Sequence, residues 1–99
     1  MSALESFTSD LFAPHLDTTF RIRVDTATAI EARLIEVKER ARHARADRTP
    51  FTLLFRGPAD AALPQRIYAM EHAALGAFEL FLVTVGPDAH GMRYEAVFT

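Results

Sequence analysis

The sequence predicts a small all-β protein: an antiparallel six-stranded barrel or compact sandwich with a short N-terminal helix. Three observations carry this. TTFRIRVD (18–25) and MRYEAVF (92–98) alternate apolar with polar residues, the period-2 pattern of strands with one buried face. FTLLFRG (51–57) and AFELFLVTV (77–85) are short apolar runs rich in aromatic and β-branched residues and punctuated by glycine, which favours strand over helix. Turn residues separate these runs at regular intervals, as in meandering β-proteins.

The chain has 99 residues, 49% of them hydrophobic and 24% charged, with a net charge of −2. Such a chain is one domain, 1–99, burying roughly 60–70% of its unfolded surface. The charge offers no bulk attraction for nucleic acid or an acidic membrane. No cysteine is present, so disulfides, thiolate metal sites and thiol nucleophiles are excluded. The opening MSALESFTSDLF has acids where a secretory leader carries basic residues, and no run reaches the roughly 20 apolar residues of a membrane span. A cytoplasmic location is therefore expected.

In chain order, Leu4, Phe7 and Leu11 have helical spacing, with Thr8, Ser9 and Asp10 available as caps and Pro14 as a stop. This helix is expected to plug one end of a barrel or cover one face of a sheet. Strand 18–25 follows, with Phe20, Ile22 and Val24 on its apolar face, and then a turn over 25–28. AIEARLIEVKERARHARA is ambiguous. Ile30, Leu34, Val37 and Ala41 recur at helical spacing, so an α+β fold with residues 29–46 helical is the alternative. Against it, Ile30, Ala32 and Leu34 alternate, and a one-residue slip brings Ile35 and Val37 into phase, as a β-bulge does. We read 29–38 as strand.

The next segment clusters Arg40, Arg42 and Arg45 as a candidate contact for an anion or acidic partner, with a solvated loop as the plainer reading. No aromatic is interleaved, which removes base stacking. Strand 51–57 is apolar on both faces and is expected to neighbour 77–85. GPADAALP is a surface connection, 65–72 another strand, and Gly76 a left-handed turn position. Residues 86–91 form the last turn before the closing strand.

FTLLFRGPAD, MEHAALGAFELFLVTVGPD and GMRYEAVF together resemble an uncharacterised bacterial family of about this length, a domain of unknown function. The resemblance implies a short β-rich protein, some of whose relatives sit beside phage-tail-like or fibre-like proteins. It implies strand for 29–38, and it carries no catalytic residues. Its Pro- and Gly-rich loop is replaced here by the basic 40–48 segment.

Enzymatic signatures are absent. Serines lie only at positions 2, 6 and 9, outside any nucleophile elbow, and FRGPAD lacks the Lys-Ser/Thr ending of a phosphate loop. His15, His43, His72 and His90 lack metal-ligand spacing; Asp88 with His90 and His72 is the nearest approach to a site, and Asp88 is already explained as a turn residue. Neither cofactor nor metal is expected. Arg56, before Gly57-Pro58, reads as a tie to a carboxylate such as Glu71 or Glu95, with a partner contact as the alternative. Arg93, Glu95 and Glu79 are expected to form a cross-strand charge network.

Strand 77–85 places Phe78, Leu80 and Leu82 on one face and Phe81, Val83 and Val85 on the other, so both faces are expected to be covered. The surplus apolar surface points to a non-enzymatic protein-interaction or assembly module. Self-association or a protein partner would engage Phe81, Val83, Val85 and Arg56, in a setting such as a phage-tail-like or fibre-like assembly. The second expectation is a small ligand-binding barrel whose pocket gathers Tyr68, Met70, His72 and Tyr94.

Overall fold

The computed structural model describes residues 7–41 and 49–98. It is a closed antiparallel barrel of six strands: β1 (Thr19–Arg23), β2 (Ala29–Glu39), β3 (Phe51–Gly57), β4 (Arg66–His72), β5 (Gly76–Asp88) and β6 (Gly91–Phe98). The order around the barrel is β1-β2-β3-β6-β5-β4, with β4 closing onto β1. Two three-stranded meanders are thus joined through β3 and β6, so β3 pairs with β2 and β6 and not, contrary to the expectation, with β5.

Side-chain alternation sets the inside of the barrel. Phe20 and Ile22, Ala32 and Leu34, Phe51, Leu53 and Phe55, Tyr68 and Met70, Phe78, Leu80 and Leu82, and Tyr94, Ala96 and Phe98 all point inward and are buried. Segment 29–39 is strand, so the helical alternative falls. Its register slips between Leu34 and Glu36, with Ile35 as the extra residue. The slip lets Leu34 and Val37 both reach the core although three positions separate them, which is why this strand mimics helical spacing.

Strand β5 runs further than its apolar run, through Gly86-Pro87-Asp88, and a second bulge lies between Thr84 and Gly86. A proline is tolerated there because β4 ends opposite Leu82, leaving the β5 extension paired on one side alone. The last turn therefore shrinks to Ala89 and His90. Gly76, at φ 78, occupies the left-handed turn position.

Closing a sheet removes its edges but leaves two open ends, and this chain stops both. At one end, α1 (Ser9–Phe12) and a 3-10 turn (Ala13–His15) insert Phe7 and Phe12 among Phe51, Phe78 and Phe98. The ring centroids lie 5.6–6.2 Å apart, mostly tilted or edge-on, the geometry aromatic pairs favour. Thr8 stands at the N-cap without a side-chain bond, and Pro14 lies inside the 3-10 turn. Ser9 is buried instead, its hydroxyl donating to the Glu39 carboxylate at 2.6 Å.

The opposite end is crossed by residues 58–65. Tyr94 Oη donates to the Ala61 carbonyl, Tyr68 Oη donates to the Pro64 carbonyl, and Thr84 Oγ1 both accepts from Leu63 N and donates to Leu63 O. Here two glycines are required by close approach. A Cβ on Gly57 would stand 3.0 Å from the Tyr94 ring, and one on Gly91 would collide with the Gly57 carbonyl.

The N-terminal plug is therefore part of the core. Phe12→Ala should lower unfolding free energy by about 3–5 kcal/mol, measured by urea denaturation. A loss below about 1 kcal/mol, the scale of a surface change, would mean the plug is an ornament on an already closed barrel.

Candidate functional site

The strands present a continuous outer surface whose composition follows from register. Ile67 of β4 pairs with Phe81 of β5, and Val97 of β6 pairs with Thr52 of β3. Val97 lies two residues beyond Glu95, whose partner is Val83, and so falls on the Phe81 side of that rung. The three apolar side chains are 58%, 45% and 49% exposed for Ile67, Phe81 and Val97. The next rung carries Val83, Glu95, Leu54 and Glu36, with Val83 and Leu54 half-buried.

This corrects the expectation that 77–85 is covered on both faces. Phe78, Leu80 and Leu82 fill the barrel, but nothing in the described chain covers Phe81 or Val85, the latter 42% exposed. The N-terminal segment was the available cover, and it goes to the barrel end. Val85 itself is the extra residue of the β5 bulge and stands apart from the apolar rung.

Three acids border the stripe: Glu79 two residues before Phe81, Glu95 two before Val97, and Glu36 at the far end of the second rung. None of them is in an ion pair with another described residue. The expected Arg93–Glu95–Glu79 network does not form, because Arg93 turns to the β5 bulge and its Nε donates to Gly86 O at 3.3 Å. Among the described residues the ion pairs are Arg21–Glu31 at 4.0 Å, Arg23–Glu71 at 3.7 Å and Arg56–Asp88 at 2.5 Å.

Arg56 does tie a carboxylate, but the partner is Asp88 and not Glu71 or Glu95. Its Nε reaches both carboxylate oxygens, at 3.2 and 3.0 Å, and Nη2 reaches Oδ2. Asp88 Oδ1 also accepts the amides of His90 and Gly91, closing the turn. The Arg56 hydrogen bonds first, then the His90 amide, hold the Asp88 carboxyl down at about 2. Arg33, Arg56 and Arg93 lie abreast on one rung of β2, β3 and β6, an unfavourable like-charge arrangement that Asp88 offsets at its centre. A shallow groove of about 780 Å³ runs beside Arg33 and Arg56, with His90 and Glu31 on its walls.

The four residues expected to share a pocket are not brought together. Tyr68, Met70 and Tyr94 are buried packing elements of the filled interior. Burial first, then the Asp60 charge, pushes the Tyr94 phenol up to about 12, so it stays a neutral donor to the crossover. His72 pairs with Gly76, while Tyr94 pairs with Thr84 eight residues further along β5. That separation is roughly 25 Å along an extended strand.

His72 instead meets the N-terminal segment. Its Nδ1 accepts the amides of Ala74 at 3.0 Å and Leu75 at 3.2 Å. The proton therefore resides on Nε2, which donates to Thr18 Oγ1 at 2.9 Å, and that hydroxyl donates onward to His15 O at 2.6 Å. A hydroxyl beside an imidazole is also how a nucleophile and its base are arranged. Here the hydrogen bonds run the other way, so Thr18 is not activated. The ring packs on Phe20 at 4.3 Å and on His15 at 4.7 Å. Neither sequence spacing nor composition signals this cluster, because its members lie 54 residues apart.

Of the basic candidates, Arg40 is exposed and its amide donates to Pro50 O, while Arg42 and Arg45 lie outside the described residues. Among the described residues, no group of three His, Cys, Asp or Glu side chains is placed to hold a metal ion. Among the described residues, too, no helix is long and apolar enough to cross a membrane.

The family model described as Domain of unknown function (DUF6916) matches residues 7–98, and the chain belongs to that family. The match begins at the first aromatic of the plug and ends at the last inward residue of β6. No curated protein and no solved structure matches it.

The Arg56–Asp88 clamp makes a pH prediction. A carboxyl depressed to about 2 from 3.8 contributes stability that is present above pH 3.8 and lost as pH falls toward 2. Arg56→Ala should melt lower at neutral pH and show a flatter acid limb in thermal melts across that window. An acid limb identical to wild type would show that Asp88 owes its depression to the turn amides alone.

Proposed function

We propose that this protein is a non-enzymatic interaction module that docks another protein on the outer face of β4, β5 and β6. One observation carries the reading: Ile67 and Phe81 stand about half exposed as a cross-strand pair of β4 and β5, and Val97, equally exposed, lies on β6 two residues beyond the Val83–Glu95 rung, on the Phe81 side. A chain that has already filled its core and stopped both ends has no internal use for them. Large apolar side chains clustered on a polar surface are the usual mark of a docking face.

The bordering acids indicate the partner's character. Glu36, Glu79 and Glu95 have no ion-pair partner in the described chain, so a matching surface would be apolar at its centre and carry Lys or Arg at its rim. Two copies of this face would oppose like charges, which favours a different protein over face-to-face pairing. The family resemblance extends the reading to an accessory subunit of a tail-like or fibre-like assembly. The closed barrel suits such a subunit, because it exposes no long unpaired edge to uncontrolled strand addition.

Phe81→Asp tests the reading. Its side chain lies outside the core, so stability should change by only about 1 kcal/mol, the range of cross-strand pair effects, as read by denaturation. Affinity for a partner recovered from host lysate should fall at least tenfold, and Glu79→Lys should weaken the same complex in a salt-dependent way. Retention of the partner by Phe81→Asp would remove this face from consideration, and sedimentation of the wild type as a dimer abolished by Phe81→Asp would replace the foreign partner with a second copy.

A further inference from the structure

We propose that His72 is an acid-released latch, whose protonation at Nδ1 frees the turn at residues 73–75 and with it the N-terminal plug that closes one end of the barrel. The geometry requires a neutral ring. Nδ1 accepts two backbone amides, Ala74 and Leu75, and a proton placed there would point at both donors. Nε2 is already committed as the donor to Thr18, which holds His15 through the same hydroxyl. One imidazole thus bonds the β4–β5 turn on one side and the end of the plug on the other.

The turn and the plug are also continuous in packing. Leu75 meets Phe7, Leu11, Phe12 and Phe78 around a small apolar hollow of about 60 Å³. If Leu75 loses its amide bond, the plug loses one wall of its seat. The aromatic cluster of Phe51, Phe78 and Phe98 then opens to water, which ordinary packing at neutral pH prevents.

Charged neighbours do not offset protonation. His15 faces the ring from the 3-10 turn, and its electrostatic effect opposes a positive charge on His72. Glu71 of β4, Glu31 of β2 and Arg21 of β1 line the adjoining surface hollow of about 310 Å³, through which solvent reaches His72. Both acids are matched, Glu71 by Arg23 and Glu31 by Arg21, so neither is free to serve as counter-ion. The turn itself supplies only Ala73, Ala74 and Leu75. Burial first, then the charge of His15, lowers the His72 pKa from its ordinary 6.5. The unfolded or opened form therefore binds the proton more readily. The latch is intact above pH 6.5 and is lost as pH falls below it through the lowered value.

Amide hydrogen exchange on the full chain at pH 7.5 and pH 5.0, corrected for intrinsic rates, tests this. Protection at Ala74 and Leu75 should fall at least tenfold in acid, Leu11 in the plug should follow, and Leu80 in the middle of β5 should hold. His72→Asn offers the amides a non-titrating oxygen and should keep its protection at both values. Unchanged protection in the wild type, or an equal fall in His72→Asn, overturns the proposal. Should that variant not fold, the ¹⁵N shifts of the wild-type imidazole decide: an Nε2-protonated ring at pH 7.5 supports the latch, and an Nδ1-protonated ring overturns it.

Discussion

The constraint on which the structure depends is the closure of β4 onto β1. With each strand hydrogen-bonded to two neighbours, in β2 and β5 by successive halves of the strand, the sheet closes on itself and inward positions are dedicated wholly to one another. The same closure creates two mouths. A barrel this small has no layer of helices to lay across them, so the chain uses residues 7–15 at one mouth and the 58–65 crossover at the other. The two stoppers differ in chemistry. The first is aromatic packing centred on Phe12, and the second is a set of backbone carbonyls held by Tyr68, Tyr94 and Thr84.

That difference shapes where the molecule can respond to its surroundings. Burial pushes the Tyr94 phenol up to about 12 and keeps it a neutral donor, so the crossover end is chemically quiet near neutrality. The plug end holds His15 and His72 within ring contact, and imidazole is the side chain whose charge changes near pH 6.5. The outer surface is independent of both. Its apolar residues Ile67, Phe81 and Val97 face outward because strand alternation turns them away from the core, and this does not depend on either stopper.

Bulges connect these features. Ile35 in β2 and Val85 in β5 are each one residue too many for their ladders. The first lets Val37 return to the core after Leu34. The second carries Thr84 to the crossover and allows Gly86, Pro87 and Asp88 to continue as strand, which brings Asp88 beneath the Arg56 guanidinium. A rigid alternation without the second bulge would put Asp88 on another face and leave Arg33, Arg56 and Arg93 unbalanced.

Much of the barrel was legible from local pattern. Alternation in 18–25 and 92–98 identifies the inward residues, the slip at Ile35 identifies a bulge, and Gly76 identifies the hairpin turn. These depend on the period of side-chain direction, which is a property of neighbouring residues alone. The candidate site was legible only in part. Phe81 could be singled out, but its exposure depended on whether the N-terminal segment covered the sheet or filled a mouth. Arg56 could be read as a tie, but Asp88 looked like a turn residue because the bulge that moves it has no one-dimensional signature. Strand identity, inward and outward faces and the absence of thiol chemistry follow from local pattern and composition. Which strand closes on which, what stops each mouth, and the joining of His72 to Thr18 and not Tyr94 emerge with the folded barrel. Those are distances between residues far apart in the chain, and ring closure sets them while local propensity does not.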